Sequence, residues 1–102
     1  MLKRGALRRF FGKKEKRLQK LRQSQKDVSF DELRQVLEDH GFTLDHTTGS
    51  HHTFRAVIGG EVVKLVIPFN RPIKSPYVYE ALELIDEKMQ SESEEESNNA
   101  DE

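Results

Sequence analysis

Two adjacent histidines follow a glycine turn in the segment Gly49-Ser50-His51-His52-Thr53-Phe54-Arg55. Imidazole is the one side chain whose ordinary pKa lets it take up and return protons near neutral pH. Arg55 adds a permanent, planar charge suited to a phosphate. This combination suggests proton transfer at a phosphodiester, with RNA as the candidate substrate. A base can take the proton of a ribose 2′-hydroxyl so that the oxygen attacks the adjacent phosphate, and a proton is then returned to the leaving 5′-oxygen.

The segment alternates like a strand, so successive side chains point to opposite faces. His52 shares parity with Phe54, Ala56 and Ile58, the set expected to meet the helices. His51 shares parity with Thr53 and Arg55 on the other face, which makes it the candidate catalytic residue, with Ser50 and His52 as support. The plain alternative is a histidine pair that merely occupies a strand edge. Arg71 and Lys74 precede a helix start, where free backbone N–H groups favour anions, and Tyr77 offers a hydroxyl or a stacking ring. These three join Arg55 as candidate RNA contacts, against the alternative of a solvated loop with Tyr77 partly in the core. No metal site is expected, because neighbouring strand residues diverge and His40 and His46 fall at a helix end and a turn. No cofactor is expected either, since Gly59-Gly60 is too short to cradle a nucleotide and leads into a strand.

The elements that position these groups are marked locally. Ser29-Phe30-Asp31-Glu32 forms a capping box, with Phe30, Leu33, Val36 and Leu37 on one helical face and Gly41 as the left-handed residue that ends the helix before Phe42. Strands are expected over Phe42–His46, Ser50–Ile58 and Glu61–Pro68, the last two joined through Gly59-Gly60 as a tight hairpin. Ser75-Pro76 starts a final helix, with Ser75 as N-cap, that runs to about Met89 and has Val78, Ala81, Leu82 and Ile85 as its apolar face. The resulting class is α+β with αβββα order, a three-stranded antiparallel sheet carrying two helices on one face.

The 102 residues hold one domain and carry a formal net charge of only -1, but the charge is segregated. Residues 1–26 contain eleven Lys or Arg and one acid, a formal +10, whereas residues 90–102 contain six acids and no base. Such ends read as interaction arms or solvated tails. Residues 1–25 are therefore expected as a basic extension with a helix over Leu7–Arg22, whose intermittent stripe of Leu7, Phe10, Phe11, Leu18 and Leu21 does not establish docking. Residues 26–89 form the expected domain, and 90–102 a disordered acidic tail. The chain has no cysteine, which excludes disulfides and thiolate metal sites and fits a reducing cytoplasm. It has no apolar run long enough to span a bilayer and no secretory leader pattern, so no membrane association is expected. The pattern leaves the oligomeric state open.

Several stretches resemble the HicA (YcfA-like) toxin family in this order: Lys26-Asp27-Val28-Ser29-Phe30-Asp31-Glu32-Leu33, Gly41-Phe42, Gly49-Ser50-His51-His52-Thr53-Phe54, Val66-Ile67-Pro68 and Ile73-Lys74-Ser75-Pro76-Tyr77-Val78. The resemblance covers about residues 26–87. It implies a fold similar to the double-stranded RNA-binding domain and a metal-independent mRNA interferase activity. It also implies a catalytic histidine at the Gly-Ser-His position, here His51, and neutralisation by a HicB-like antitoxin. Phe69-Asn70-Arg71 and Tyr79-Glu80 depart from the family pattern, as do the charged extensions. Two other functions fit the same frame, a non-catalytic RNA-binding module and a domain that only binds an antitoxin.

Overall fold

The computed structural model describes residues 12–100, with side chains through Glu94. The elements follow as α1 (Lys13–Gln23), α2 (Phe30–Asp39), β1 (Thr43–Thr48), β2 (His51–Ile58), β3 (Glu61–Pro68) and α3 (Ser75–Ala100). The strands form one antiparallel sheet in the order β1-β2-β3. This is the expected α+β, αβββα frame with a further helix in front of it.

Helix α2 starts and stops where the sequence places its caps. Ser29 Oγ accepts from the Glu32 amide at 3.1 Å, and Glu32 Oε1 accepts from the Ser29 amide at 2.9 Å. At the other end Gly41 has φ +90°, which lets its amide reach the Glu38 carbonyl and the Phe42 amide reach the Leu37 carbonyl. The paired bonds satisfy carbonyls that the helix end would otherwise leave open. They also drive Phe42 into the core, where it is fully buried. The β2–β3 hairpin turns on Gly59 and Gly60, both at positive φ, as a tight primed turn requires. That turn sets the register, pairing Ile58 with Glu61, Arg55 with Lys64 and His51 with Pro68.

The core lies between the sheet and the helices, built from Leu33, Val36 and Leu37 of α2, Phe54, Ala56, Leu65 and Ile67 of the sheet, and Val78, Ala81, Leu82 and Ile85 of α3. Two boundaries differ from the sequence reading. Helix α1 is part of the folded body, because Leu18 and Leu21 are buried with this same core. Arg17 grips Asp39 through two bonds of 2.7 and 2.9 Å, and Arg22 grips Asp86 through bonds of 2.6 and 3.2 Å. The body thus begins at α1, not at Lys26; Leu7, Phe10 and Phe11 of the expected stripe lie outside the described residues. At the far end α3 continues past Met89 to Ala100, so the segment read as a disordered tail is helical that far. Glutamate is a good helix former, and Lys88 with Glu92 makes an ion pair one turn apart. Ser75 is the first helical residue and does not act as N-cap; its hydroxyl donates to the Gln25 carbonyl at 3.1 Å and ties α3 to the α1–α2 linker.

Candidate active site on the uncovered sheet face

No helix covers the sheet face that carries the odd-numbered residues of β2. His51, Arg55 and Val57 are exposed there, and on β3 so are Val62, Lys64 and Val66. Thr53 is the exception at 8 % exposure, because it sits on the central strand with His46 and Val66 directly opposite on either side. Parity therefore separates the two histidines as expected.

His52 turns to the helices and becomes part of an aromatic group. Its ring centroid lies 4.4 Å from Phe30 and 6.3 Å from Phe69. Its Nδ1 is 3.1 Å from the Ser50 carbonyl oxygen. A carbonyl only accepts, so Nδ1 carries the proton and the ring braces the turn. The Ser50 carbonyl also accepts from the Phe69 amide at 2.7 Å, which holds the β1–β2 turn against the end of β3. Ser50 and His52 thus fix the backbone that presents His51. The His51 side chain itself has no hydrogen-bond partner among the described residues and stands free to meet a ligand.

His46 is a second imidazole of this face that strand parity did not reveal. It lies inside β1, which runs to Thr48, instead of at a turn. The β1–β2 register slips between Leu44 and His46, leaving Asp45 as the extra residue of a bulge. Bulges re-aim side chains. Here the imidazole Nδ1 of His46 and Asp45 Oδ2 meet at 3.1 Å, although adjacent residues of a regular strand diverge. The carboxylate accepts from Nδ1–H and leaves Nε2 with a free lone pair, the form a general base needs. His46 pairs with Thr53 and Thr48 with His51, so His46 and His51 are diagonal neighbours on one face. Such diagonals are separated by roughly 7–8 Å, within reach of a single phosphodiester unit bound between two side chains.

The expected RNA contacts do not converge on one point. Arg55 shares the face of His51 but lies four residues along the strand, roughly 13 Å away at the usual rise. A group held at His51 is therefore beyond its reach. Lys64, also missed, is directly opposite Arg55. Like charges so placed repel, and an anion between them relieves the repulsion. The hairpin turn alone contained this pair, since joining Ile58 to Glu61 puts Arg55 against Lys64. Arg71 lies at the end of β3, its guanidinium carbon 5.6 Å from the centre of the Phe69 ring. Lys74 is exposed ahead of α3, whereas Tyr77 is half-buried and packs on the core.

Among the described residues no three His, Asp or Glu side chains gather in a way that would hold a metal ion. No described helix is long and apolar enough to cross a membrane. Comparison with family models, curated proteins and solved structures finds no match to this chain.

Proposed function

We propose that this chain is a HicA-like endoribonuclease that cuts single-stranded mRNA in the cytoplasm by internal transesterification, without a metal ion. The observation that carries the reading is the pair of imidazoles on the uncovered face, one free at His51 and one aimed by Asp45 at His46. In the proposed reaction Nε2 of His46 takes the proton of the 2′-hydroxyl. The 2′-oxygen bonds to phosphorus, the bond from phosphorus to the 5′-oxygen breaks, and protonated His51 gives its proton to that 5′-oxygen. One proton is taken and one is given, leaving a 2′,3′-cyclic phosphate and a 5′-hydroxyl end. Each transfer is worth typically 10²–10⁴-fold in rate. Arg55 and Lys64 hold the strand two or more residues from the cut, and Lys74 and Arg71 lie on its further course.

Motif order and the position of His51 support a toxin of this type, with a HicB-like antitoxin as its protein partner. The test is incubation of single-stranded RNA with purified protein in excess EDTA. Cleavage by wild type and its loss in His51→Ala, with RNA binding retained, is the expected result. A second reading, an RNA-binding module without catalysis, is favoured by the Arg55–Lys64 pair, which needs only an anion. Intact RNA after long incubation with protein that binds it would replace the first reading with the second. Protein that neither binds nor cuts RNA but co-purifies with a HicB-like partner would leave an antitoxin-binding domain.

A further inference from the structure

Where β3 ends against the start of α2, the chain forms an open cleft of about 450 Å³ lined by Asp27, Phe30, Asp31, Phe69, Asn70 and Arg71, among others. Phe69 is 39 % exposed although its ring packs 5.4 Å from Phe30. A phenylalanine left open to water beneath a guanidinium is a stacking platform awaiting a flat ligand. Aromatic rings and Arg planes are the two surfaces on which unpaired nucleobases stack.

Resting on the ribonuclease reading, we propose that this cleft holds one base of a single-stranded RNA, stacked on Phe69. The exposed Arg71 guanidinium, now 5.6 Å from the ring centre and too close to admit a base, swings onto the base's outer face. The charge balance says which part of the nucleotide enters. Two carboxylates, Asp27 and Asp31, face one guanidinium, so a phosphate is disfavoured inside and a neutral base is not. Asp31 is open to a ligand: its side chain is 85 % exposed, and its approach to Arg34 at 3.6 Å is too long for a hydrogen bond. Carboxylates only accept. They therefore favour bases that present exocyclic amino groups, namely adenine, cytosine and guanine. Uracil offers one N–H between two carbonyl oxygens, which carboxylates repel.

The cleft adjoins the proposed chemistry. Pro68 pairs with His51, and Phe69 is the next residue, held to the Ser50 carbonyl. The Phe69 ring meets Phe30 and His52 on the covered side, so a strand that places a base in the cleft passes around the end of the sheet to bring a phosphate to His51.

The probes are 2′-O-methyl hexamers of adenine, cytosine and uracil, which can bind but cannot be cleaved, titrated at fixed low salt by fluorescence anisotropy. Wild type should bind the adenine and cytosine oligomers more tightly than the uracil oligomer. Phe69→Ala should weaken the tighter complexes by roughly tenfold, as loss of one stacked base does. Asp31→Asn, a same-sized change to an exposed side chain in the first turn of α2, should erase the discrimination against uracil. Unchanged affinity and base ranking in both variants, in a protein that still cleaves RNA, would overturn the base site and leave the ribonuclease reading standing. Failure of wild type to bind any oligomer or cut any RNA would overturn that reading, and the base site with it.

Discussion

The two faces of one three-stranded sheet have been put to different uses, and His52 and His51, adjacent in the chain, mark the boundary between them. On the covered face Phe54, Leu65 and Ile67 are buried and His52 is held by aromatic rings and a carbonyl. On the open face His51, Arg55 and Lys64 have no hydrogen-bonded partner among the described residues, and a bulge is spent on aiming His46. Burial demands that every polar group be satisfied. Chemistry and recognition need groups that are not yet satisfied. A thin sheet covered on one side separates these demands at the cost of a single layer of helices.

The largest contrast is expected between single substitutions of the two neighbours. His51→Ala should lower RNA cleavage by about 10²–10⁴-fold and leave the melting temperature within a few degrees of wild type, since an exposed side chain away from packing costs little. His52→Ala should cost about 1 kcal/mol of aromatic packing and lower cleavage far less than His51→Ala, because its ring braces the turn without carrying the transferred proton. Equal effects of the two on cleavage would mean that the faces are not divided in this way.

Next in size is a substitution on the covered side. Leu21→Ala removes a buried side chain that joins α1 to the core and should cost about 2–5 kcal/mol. For a domain of this length that lowers the melting temperature by more than about 10 °C. A melting temperature unchanged in thermal denaturation would show that α1 is an arm lying on the domain and not a part of it.

A smaller effect is expected on the open side. Lys64→Ala should weaken RNA binding across all sequences and reduce the slope of log affinity against log salt by about one. Arg55→Ala should do the same, and the double variant should lose less than the sum because the repulsion between the pair is gone as well. A change in base preference would place these side chains at base edges and not at phosphates.

The smallest effect is in the response of folding to pH, and it belongs to the covered side. Burial lowers the pKa of His40 from its ordinary 6.5, partly opposed by Asp39 and Glu15, and its Nε2 is buried without a partner. Below about 6.5 the unfolded chain takes up this proton more readily than the folded one, so stability falls as pH drops through that range and levels off below the folded pKa. The Arg17 hydrogen bond lowers the pKa of Asp39 below 3.8, and the Ser29 amide, followed by Lys20, lowers that of Glu32 below 4.5. Their contributions are present at neutral pH and are lost as pH falls through their folded values. Urea titrations from pH 7 to 3 should show two successive declines, of which His40→Gln removes the first.

Much of the covered side was legible in the sequence, because it obeys local rules. The Ser29 box, Gly41, the Gly59-Gly60 turn and the apolar spacing in α3 each act within a few residues of themselves. Docking of α1 was not legible. Its stripe is short, and the partners of Arg17 and Arg22 stand 22 and 64 residues away. The open face was half legible. Parity separated His51 from His52, and the hairpin register held the Arg55–Lys64 pair. A bulge obeys no such period: past it His46 shares the open face with Thr53, whereas strict alternation from Leu44 would put it on the covered side. The Phe69 cleft needed the third dimension, since one wall comes from residues 27–31 and the other from residues 69–72, with the rest of α2 and the sheet between them.

In the proposed reaction the open face cuts RNA through the 2′-hydroxyl. The most direct measurement uses a short RNA containing a site that wild type cleaves in excess EDTA, beside the same RNA with one 2′-deoxy nucleotide immediately 5′ of the cut. The expected result is a 2′,3′-cyclic phosphate and a 5′-hydroxyl from the first and no cut at that bond in the second. Cleavage of the deoxy-substituted bond, or fragments bearing a 5′-phosphate, would contradict it.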